Sequence, residues 1–200
     1  MTSQIRVLLF DLGGVLFRLN TPARTFDLEQ SEEDFLQQWI HSESVRRFEQ
    51  GTVDATTFAA SIVKELRLPY GVDDFLRRFK AWPDKLYPGT PELLDSIPRH
   101  YSKALLSNTN ALHWHRDDVA GALEHRFDNV FLSFMTGYLK PDTEAFRHAM
   151  ESCACVPEEI AFFDDNPVNV AAAAGFGCHA FLTRGIGELR STLNTLRITH

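Results

Sequence analysis

The chain has 200 residues, 44% of them apolar and 24% charged, with a formal net charge of −7. That length allows one domain carrying a small insertion, with a substantial buried core. The acidic balance argues against a phosphate-backbone binder, which gathers Lys and Arg on one face, although two or three local cations still suffice for a small anion. No apolar run approaches the roughly eighteen residues of a membrane span. The first ten residues also lack the basic segment, apolar stretch and cleavage site of a signal peptide. The expectation is a cytoplasmic protein with neither membrane nor nucleic acid as partner, and the composition sets no oligomeric state.

The first element is Val7–Phe10, a run of apolar residues that reads as a strand buried on both faces, as in a parallel sheet. It delivers Asp11 to its carboxyl end, where ligands bind in open α/β sheets, and Leu12, Gly13 and Gly14 follow. From about Arg18 to Tyr87 no strand is legible. Helical spacing appears in Phe35, Trp39 and Ile40, with Ser31 as N-cap and Asp34 three residues on. It returns from Asp54 through Phe58, Ile62, Val63 and Leu66, ended by Pro69 and Gly71, and again in Phe75, Leu76 and Phe79. This stretch predicts a bundle of about four short helices. Pro88-Gly89-Thr90-Pro91 punctuates its end, and Thr90-Pro91-Glu92 opens another helix with Pro in the first turn.

Strand and helix patterns then alternate. Predicted strands are Lys103–Ser107, Asn129–Ser133, Ile160–Asp164 and Cys178–Leu182; predicted helices are Ala111–Leu123, Asp142–Glu151 and Pro167–Ala174. Such alternation indicates right-handed βαβ units and a parallel sheet. The expected architecture is therefore α/β: a doubly wound, mainly parallel core from residues 1–17 and 88–200, with a helical bundle inserted at 18–87.

Three clusters would share the sheet edge of Asp11: Ser107-Asn108-Thr109-Asn110, Leu139-Lys140-Pro141-Asp142, and Asp164-Asp165-Asn166 followed by Pro167 and Asn169. Each alone is explained by helix capping, turn chemistry or a solvated charge. Together they bring three carboxylates, a hydroxyl and an ammonium to one edge. Carboxylates on separate loops make a hard oxygen cage suited to Mg²⁺. A lysine and a hydroxyl hold phosphoryl oxygens, and an aspartate facing a phosphate can act as a covalent nucleophile. Phosphoryl transfer asks for little beyond such positioning and charge neutralisation.

In this order the segments resemble the four motifs of the haloacid dehalogenase-like hydrolase superfamily, and the insertion resembles the helical cap that one subfamily carries after its first motif. The wording Asp-Leu-Gly-Gly-Val, Ser-Asn-Thr-Asn, Leu-Lys-Pro-Asp and Phe-Phe-Asp-Asp-Asn is similar to a subgroup that includes bacterial α-D-glucose-1-phosphatases, whose relatives also include the phosphatase domain of epoxide hydrolases. The resemblance implies Asp11 as the nucleophile, with Ser107 and Lys140 on the phosphoryl oxygens. It implies Mg²⁺ held by Asp11, the backbone carbonyl of Gly13, and Asp165, with Asp164 direct or through water. Amides around Leu12 and Gly13 would add anion donors, Asn108 would shape the phosphate pocket, and Asn169 would orient the acidic pair. The implied activity is hydrolysis of a small phosphorylated metabolite, with a sugar phosphate favoured, through an aspartyl-phosphate.

One position departs from that pattern. Where most phosphatases of the superfamily carry a second aspartate that protonates the leaving group and activates water, this chain has Gly13. Glycine still supplies a metal-binding carbonyl but not the acid–base group, a contribution of about 10²–10⁴-fold in rate. An easy leaving group would tolerate the loss, or water, His41, Glu43 or Glu49 would substitute. Two other readings stay open: a non-catalytic binding or regulatory module on the same scaffold, which Gly13 favours, and a metal-free 2-haloacid dehalogenase. Against the dehalogenase, the Asp164-Asp165 pair would be left uncompensated. Arg46, Arg47, Phe48, Trp82 and Tyr87 are candidates for lining the cleft under the cap. Two further clusters read as structural: Cys153, Cys155 and Cys178 as buried small hydrophobes, and His113 with His115 as too poorly aligned on a helix for zinc.

Overall fold

The computed structural model describes residues 4–28, 31–116 and 118–199. Strands β1 (Val7–Phe10) and β2 (Phe17–Leu19) precede five helices: α1 (Pro22–Phe26), α2 (Glu32–His41), α3 (Glu43–Glu49), α4 (Ala55–Glu65) and α5 (Val72–Lys80). Strand β3 (Pro83–Leu86) closes that insertion and α6 (Thr90–Ser96) follows. The remainder runs β4 (Ser102–Ser107), α7 (Ala111–Trp114), α8 (Ala120–Leu123), β5 (Asn129–Leu132) and α9 (Ser133–Thr136). It finishes with α10 (Thr143–Ser152), β6 (Ile160–Asp164), α11 (Pro167–Phe176), β7 (His179–Leu182) and α12 (Gly185–Thr195).

The main sheet is five-stranded, in the order β5-β4-β1-β6-β7, and every pairing in it is parallel. This is the α/β fold expected from the alternation. Central β1 is buried at all its residues because both faces are covered. Leu8, Phe10, Leu105 and Phe163 face one layer, against Leu93, Leu123 and Leu189 of the helices. Val7, Leu9, Leu106 and Phe162 face the other, against Phe146, Ala149 and Ala173. The register sets Phe10 beside both Leu105 and Phe163, so Asp11, Ser107 and Asp164 emerge at one end of the sheet. Strand order reverses around β1, and that is where a ligand crevice forms in such sheets.

The inserted helices bury a core of their own, made of Phe26, Phe35, Trp39, Phe48, Phe58, Phe75 and Phe79 among others. The expected N-cap at Ser31 holds, its hydroxyl accepting from the Asp34 amide at 3.1 Å, and the Asp54 carboxylate caps the later helix by accepting from the Thr57 amide at 2.8 Å. Strands β2 and β3 pair antiparallel at the base of the insertion, in a stretch where no strand was legible. They are too short to display a period-2 pattern, a register shift interrupts them after Arg18, and β3 begins with Pro83. Helix α1 spans only five residues, and Ser42 is at once the C-cap of α2 and the N-cap of α3, so their periodicities merge in the sequence. The helix expected at Ala111–Leu123 is split into α7 and α8; the stretch crosses residue 117, which lies outside the described residues, as do residues 1 and 200 at the expected core limits. Helix α12 follows the last element that the sequence pattern predicts, the strand at Cys178–Leu182. No described helix is long and apolar enough to cross a membrane.

Candidate functional site

Asp11 extends β1 by one more ladder bond, its amide donating to the Phe163 carbonyl at 2.9 Å. The side chain is thereby fixed at the strand end. Lys140 Nζ lies 2.8 Å from Asp11 Oδ1 and 2.6 Å from Asp164 Oδ2, and the lysine is buried. Burial opposes its charge, but Asp11 and Asp164 outweigh that and hold the ammonium above its ordinary range. Asn108 fastens the lysine from behind. Its Nδ2 donates to the Lys140 carbonyl at 2.8 Å, and its Oδ1 accepts from the Lys140 amide at 2.9 Å. Ser107 is buried beside it at the end of β4.

Asp164 is fully buried and engaged on both oxygens. Oδ1 accepts from the Asn166 amide at 2.8 Å and from Asn169 Nδ2 at 3.0 Å; Oδ2 accepts from Asn169 at 3.1 Å and from Lys140. The neighbouring Asp165 makes no such side-chain bonds among the described residues. Carboxylate oxygens of Asp11, Asp164 and Asp165 all lie within 4.8 Å of one another, in reach of a single ion. Burial pushes the Asp11 carboxyl up to about 7, with Lys140 pulling it down and Asp164 and Asp165 pushing it up. Burial and then Asp164 likewise push Asp165 up to about 6. One ammonium does not balance three close carboxylates, and an oxygen-preferring divalent cation would suit the surplus.

Both glycines after Asp11 have a physical role. Gly14 sits at φ +71°, and a Cβ there would come 2.1 Å from Asp165 Oδ2; the backbone is pressed against the carboxylate. Only a residue without a Cβ allows both the positive φ and this close approach. At Gly13 the nearest neighbour of an added Cβ would be Leu19 Cδ1 at 3.5 Å, an ordinary contact. The amide N–H groups of Leu12 and Gly13 have no carbonyl or side-chain partner among the described residues.

Above this edge lies a cavity of about 260 Å³ between the sheet and the inserted helices. Gly13, Ser107 and Asn108 form its floor, with Leu19, Trp39, Phe79 and Trp82 among its walls. Several of its polar side chains are already paired. Asn108 is taken by Lys140, and Asn110 caps α7 through His113. His113 Nε2 lies 2.8 Å from the Phe79 carbonyl and Nδ1 lies 3.1 Å from Asn110 Nδ2. Of the five candidates for lining the cleft, only Trp82 does. Arg46 pairs with Asp142 outside it, Arg47 is exposed, Phe48 stacks on Phe58 at 4.2 Å, and Tyr87 packs on Gly185. His113 and His115 point to different partners, His115 to Phe134, as their spacing required. The cysteines are free, and burial pushes Cys178 up to about 12.

Parallel sheet, inserted helices and the carboxyl-edge cluster together define a hydrolase class. The sequence pattern of haloacid dehalogenase-like hydrolases matches residues 5–177, and the chain belongs to that family. It is 27% identical to the sesquiterpene phosphatase astK of Aspergillus oryzae over 180 residues, covering 88% of this chain and 89% of that one. It is also 26% identical to the drimenol cyclase drtB of Aspergillus calidoustus, covering 96% of this chain but only 36% of the relative. Among solved structures it superposes on a HAD family enzyme from Bacteroides thetaiotaomicron with a TM-score of 0.79 and 25% identity, covering 96% and 99% of the two chains. That enzyme is also known in complex with magnesium and inorganic phosphate; against that form the TM-score is 0.70 at 23% identity, over 88% and 93% of the chains.

Proposed function

We propose that this hydrolase is a phosphatase that cleaves a phosphomonoester bearing a small apolar organic group, through an aspartyl-phosphate on Asp11. The carrying observation is the juxtaposition of the Asp11–Lys140–Asp164 cluster with an apolar cavity whose floor is Gly13 and Ser107. Asp11 attacks phosphorus. Lys140 and Ser107 hold phosphoryl oxygens, joined by the free amides of Leu12 and Gly13. Asp164 and Asn108 position the lysine, and Asn169 positions Asp164. The phosphate complex of the Bacteroides enzyme and the name of the Aspergillus oryzae relative support phosphate-ester chemistry.

The donor set fits magnesium. Asp11, Asp165 and the Gly13 carbonyl would hold it, and Asp164, with both oxygens engaged, would reach it through water. When bound, the ion neutralises charge on the carboxylates and the phosphoryl group. A sugar, the group favoured by the subgroup wording, would meet apolar walls of Trp39, Phe79 and Trp82, with Asn108 and Asn110 already engaged within the protein. An isoprenoid-like or aryl group gains from the same walls.

Phosphate release should be measured from phenyl phosphate, an isoprenyl monophosphate and glucose-1-phosphate, with and without Mg²⁺, for wild type and Asp11→Asn. We expect Mg²⁺-dependent release that Asp11→Asn abolishes, with the apolar esters preferred over the sugar ester by at least about tenfold, a difference of about 1.4 kcal/mol. Turnover that survives Asp11→Asn would remove the nucleophile assignment; a preference for the sugar ester would remove the apolar one.

A further inference from the structure

The missing side chain at Gly13 leaves two proton transfers without an agent. When Asp11 attacks phosphorus, the leaving oxygen must gain a proton unless it is already a stable anion. When water later attacks the aspartyl-phosphate, that water must lose one. Any substitute must face the same space as Gly13, be titratable, and have hydrogen-bonding capacity to spare.

Among the side chains lining the cavity, Glu49 and His113 are titratable. His113 is spent, with one ring nitrogen on the Phe79 carbonyl and the other on Asn110. The half-buried Glu49 carboxylate has no hydrogen-bond or ion-pair partner among the described residues, and it lines the cavity together with Leu12, Gly13 and Ser107. His41 and Glu43 are exposed and do not line it.

The structure also explains why a residue from the insertion can be held accurately over the core. Glu49 is the last residue of α3, and its neighbours bind the segment that carries Lys140. Arg46 Nη2 lies 2.6 Å from Asp142 Oδ2, and Gln50 Nε2 donates to the Gly137 carbonyl at 3.4 Å. Gly51, at φ +73°, approaches so closely that a Cβ would sit 2.2 Å from the Phe134 carbonyl oxygen. Three contacts within six residues thus clamp the end of α3 to the loop of the phosphate-holding lysine.

We propose that Glu49 is the catalytic acid–base of this site, supplied by the insertion in place of the side chain absent at Gly13. The proposal rests on the phosphatase reading above. In the first half-reaction the Asp11–phosphorus bond forms, the bond from phosphorus to the leaving oxygen breaks, and Glu49 gives its proton to that oxygen. In the second, water attacks phosphorus and passes a proton to Glu49. The Asp11–phosphorus bond breaks, inorganic phosphate leaves, and both carboxyl groups return to their starting states. The environment suits this work: burial pushes the Glu49 carboxyl up to about 7, with Lys140 pulling it down and Asp11 pushing it up.

The test is the leaving-group dependence of kcat/KM with Mg²⁺ present, using 4-nitrophenyl, phenyl and alkyl phosphates. Wild type, Glu49→Gln, Gly13→Asp and the double variant are compared, with circular dichroism confirming the fold of each. We expect Glu49→Gln to cost about 10²–10⁴-fold on the alkyl ester and under about tenfold on the 4-nitrophenyl ester, which needs no proton. Gly13→Asp, whose Cβ meets only ordinary contacts, should restore part of the alkyl-ester loss in the double variant. The change of slope decides. No loss in Glu49→Gln, or an equal loss on every ester, overturns the assignment while leaving the phosphatase reading intact. A wild type that releases phosphate from none of the esters overturns the phosphatase reading itself.

Discussion

At the carboxyl edge of the sheet, geometry is fixed by polar bonds between neighbouring motifs. Asp164 takes Lys140, Asn166 and Asn169; Asn108 takes both backbone groups of Lys140; Asp11 is tied to the strand beside it. The inserted helices are held in another way. Phe58 alone has Trp39, Phe48, Phe75 and Phe79 within ring-contact distance, and the cluster around it is almost wholly aromatic and aliphatic. The first arrangement fixes charges through direct hydrogen bonds and, at Gly14, leaves no room for an added atom. The second creates volume, shape and low polarity, and can be rebuilt around a different substrate without disturbing the first. A fold that separates the two in this way can keep one chemistry while changing what it acts upon.

If the separation is real, lesions should stay on their own side. The largest expected effect is Phe58→Ala. Removing a ring that is 1% exposed from the centre of the insertion should cost about 3–5 kcal/mol. Hydrogen exchange should show the loss as faster opening of α2–α5, with protection of β1, β4 and β6 retained. Equal loss in the sheet would mean that the two cores are one cooperative unit. Gly14→Ala comes next and attacks the other side. A Cβ there is incompatible with Asp165 as placed, so the carboxylate must shift and the backbone bears an L residue at φ +71°. We expect kcat to fall at least about 10²-fold, the scale of a roughly 1 Å misplacement, with hydrogen exchange in the insertion unchanged.

The same division explains what the sequence made legible. Asp11, Ser107, Lys140 and the Asp164-Asp165 pair each end a buried strand or open a helix, so short apolar runs and punctuation locate them in the fold. Their common edge follows from parallel topology alone. Asn169 was readable too, as a polar residue one turn into a helix that begins beside Asp164. The insertion gave up its helices where they were long and capped, as at Ser31 and Asp54. It hid α3 behind a one-residue junction at Ser42, and it hid β2 and β3 by brevity. That loss mattered, because α3 carries Glu49 to the site and the β2 residue Leu19 helps wall the cavity. Which of several similar phenylalanines face the cavity and which face each other is decided by packing across the bundle. Phe79 meets both; Phe48 and Phe58 stack on each other. No local pattern encodes that choice.

His113 supplies the smallest of the expected effects and tests the joint between the two regions. It stands on α7 of the core, its ring stacks on Phe79 of the insertion at 4.2 Å between centroids, and Nε2–H donates to the Phe79 carbonyl. Nδ1 accepts from Asn110, an arrangement only the neutral ring can make. Burial pulls its pKa down to about 4, partly opposed by the Phe79 hydrogen bond and reinforced by Arg116. The unfolded chain takes up this proton near the ordinary histidine value of about 6.5, whereas the folded chain resists it until about 4. Between those values the unfolded state binds more protons, so stability falls as pH falls. At about 1.4 kcal/mol per unit, reduced because the ring is only half-buried, the penalty is about 2 kcal/mol by pH 4. The raised carboxyls of Asp11, Glu49 and Asp165 act in the opposite sense, since the folded state holds their protons more tightly. The readout is therefore the difference between wild type and His113→Gln in urea midpoints at pH 7 and pH 4.5. We expect wild type to lose more stability on acidification than the variant by about that amount, with the first opening at α5 against α7. Parallel pH curves for the two proteins would show that the joint does not depend on a neutral His113.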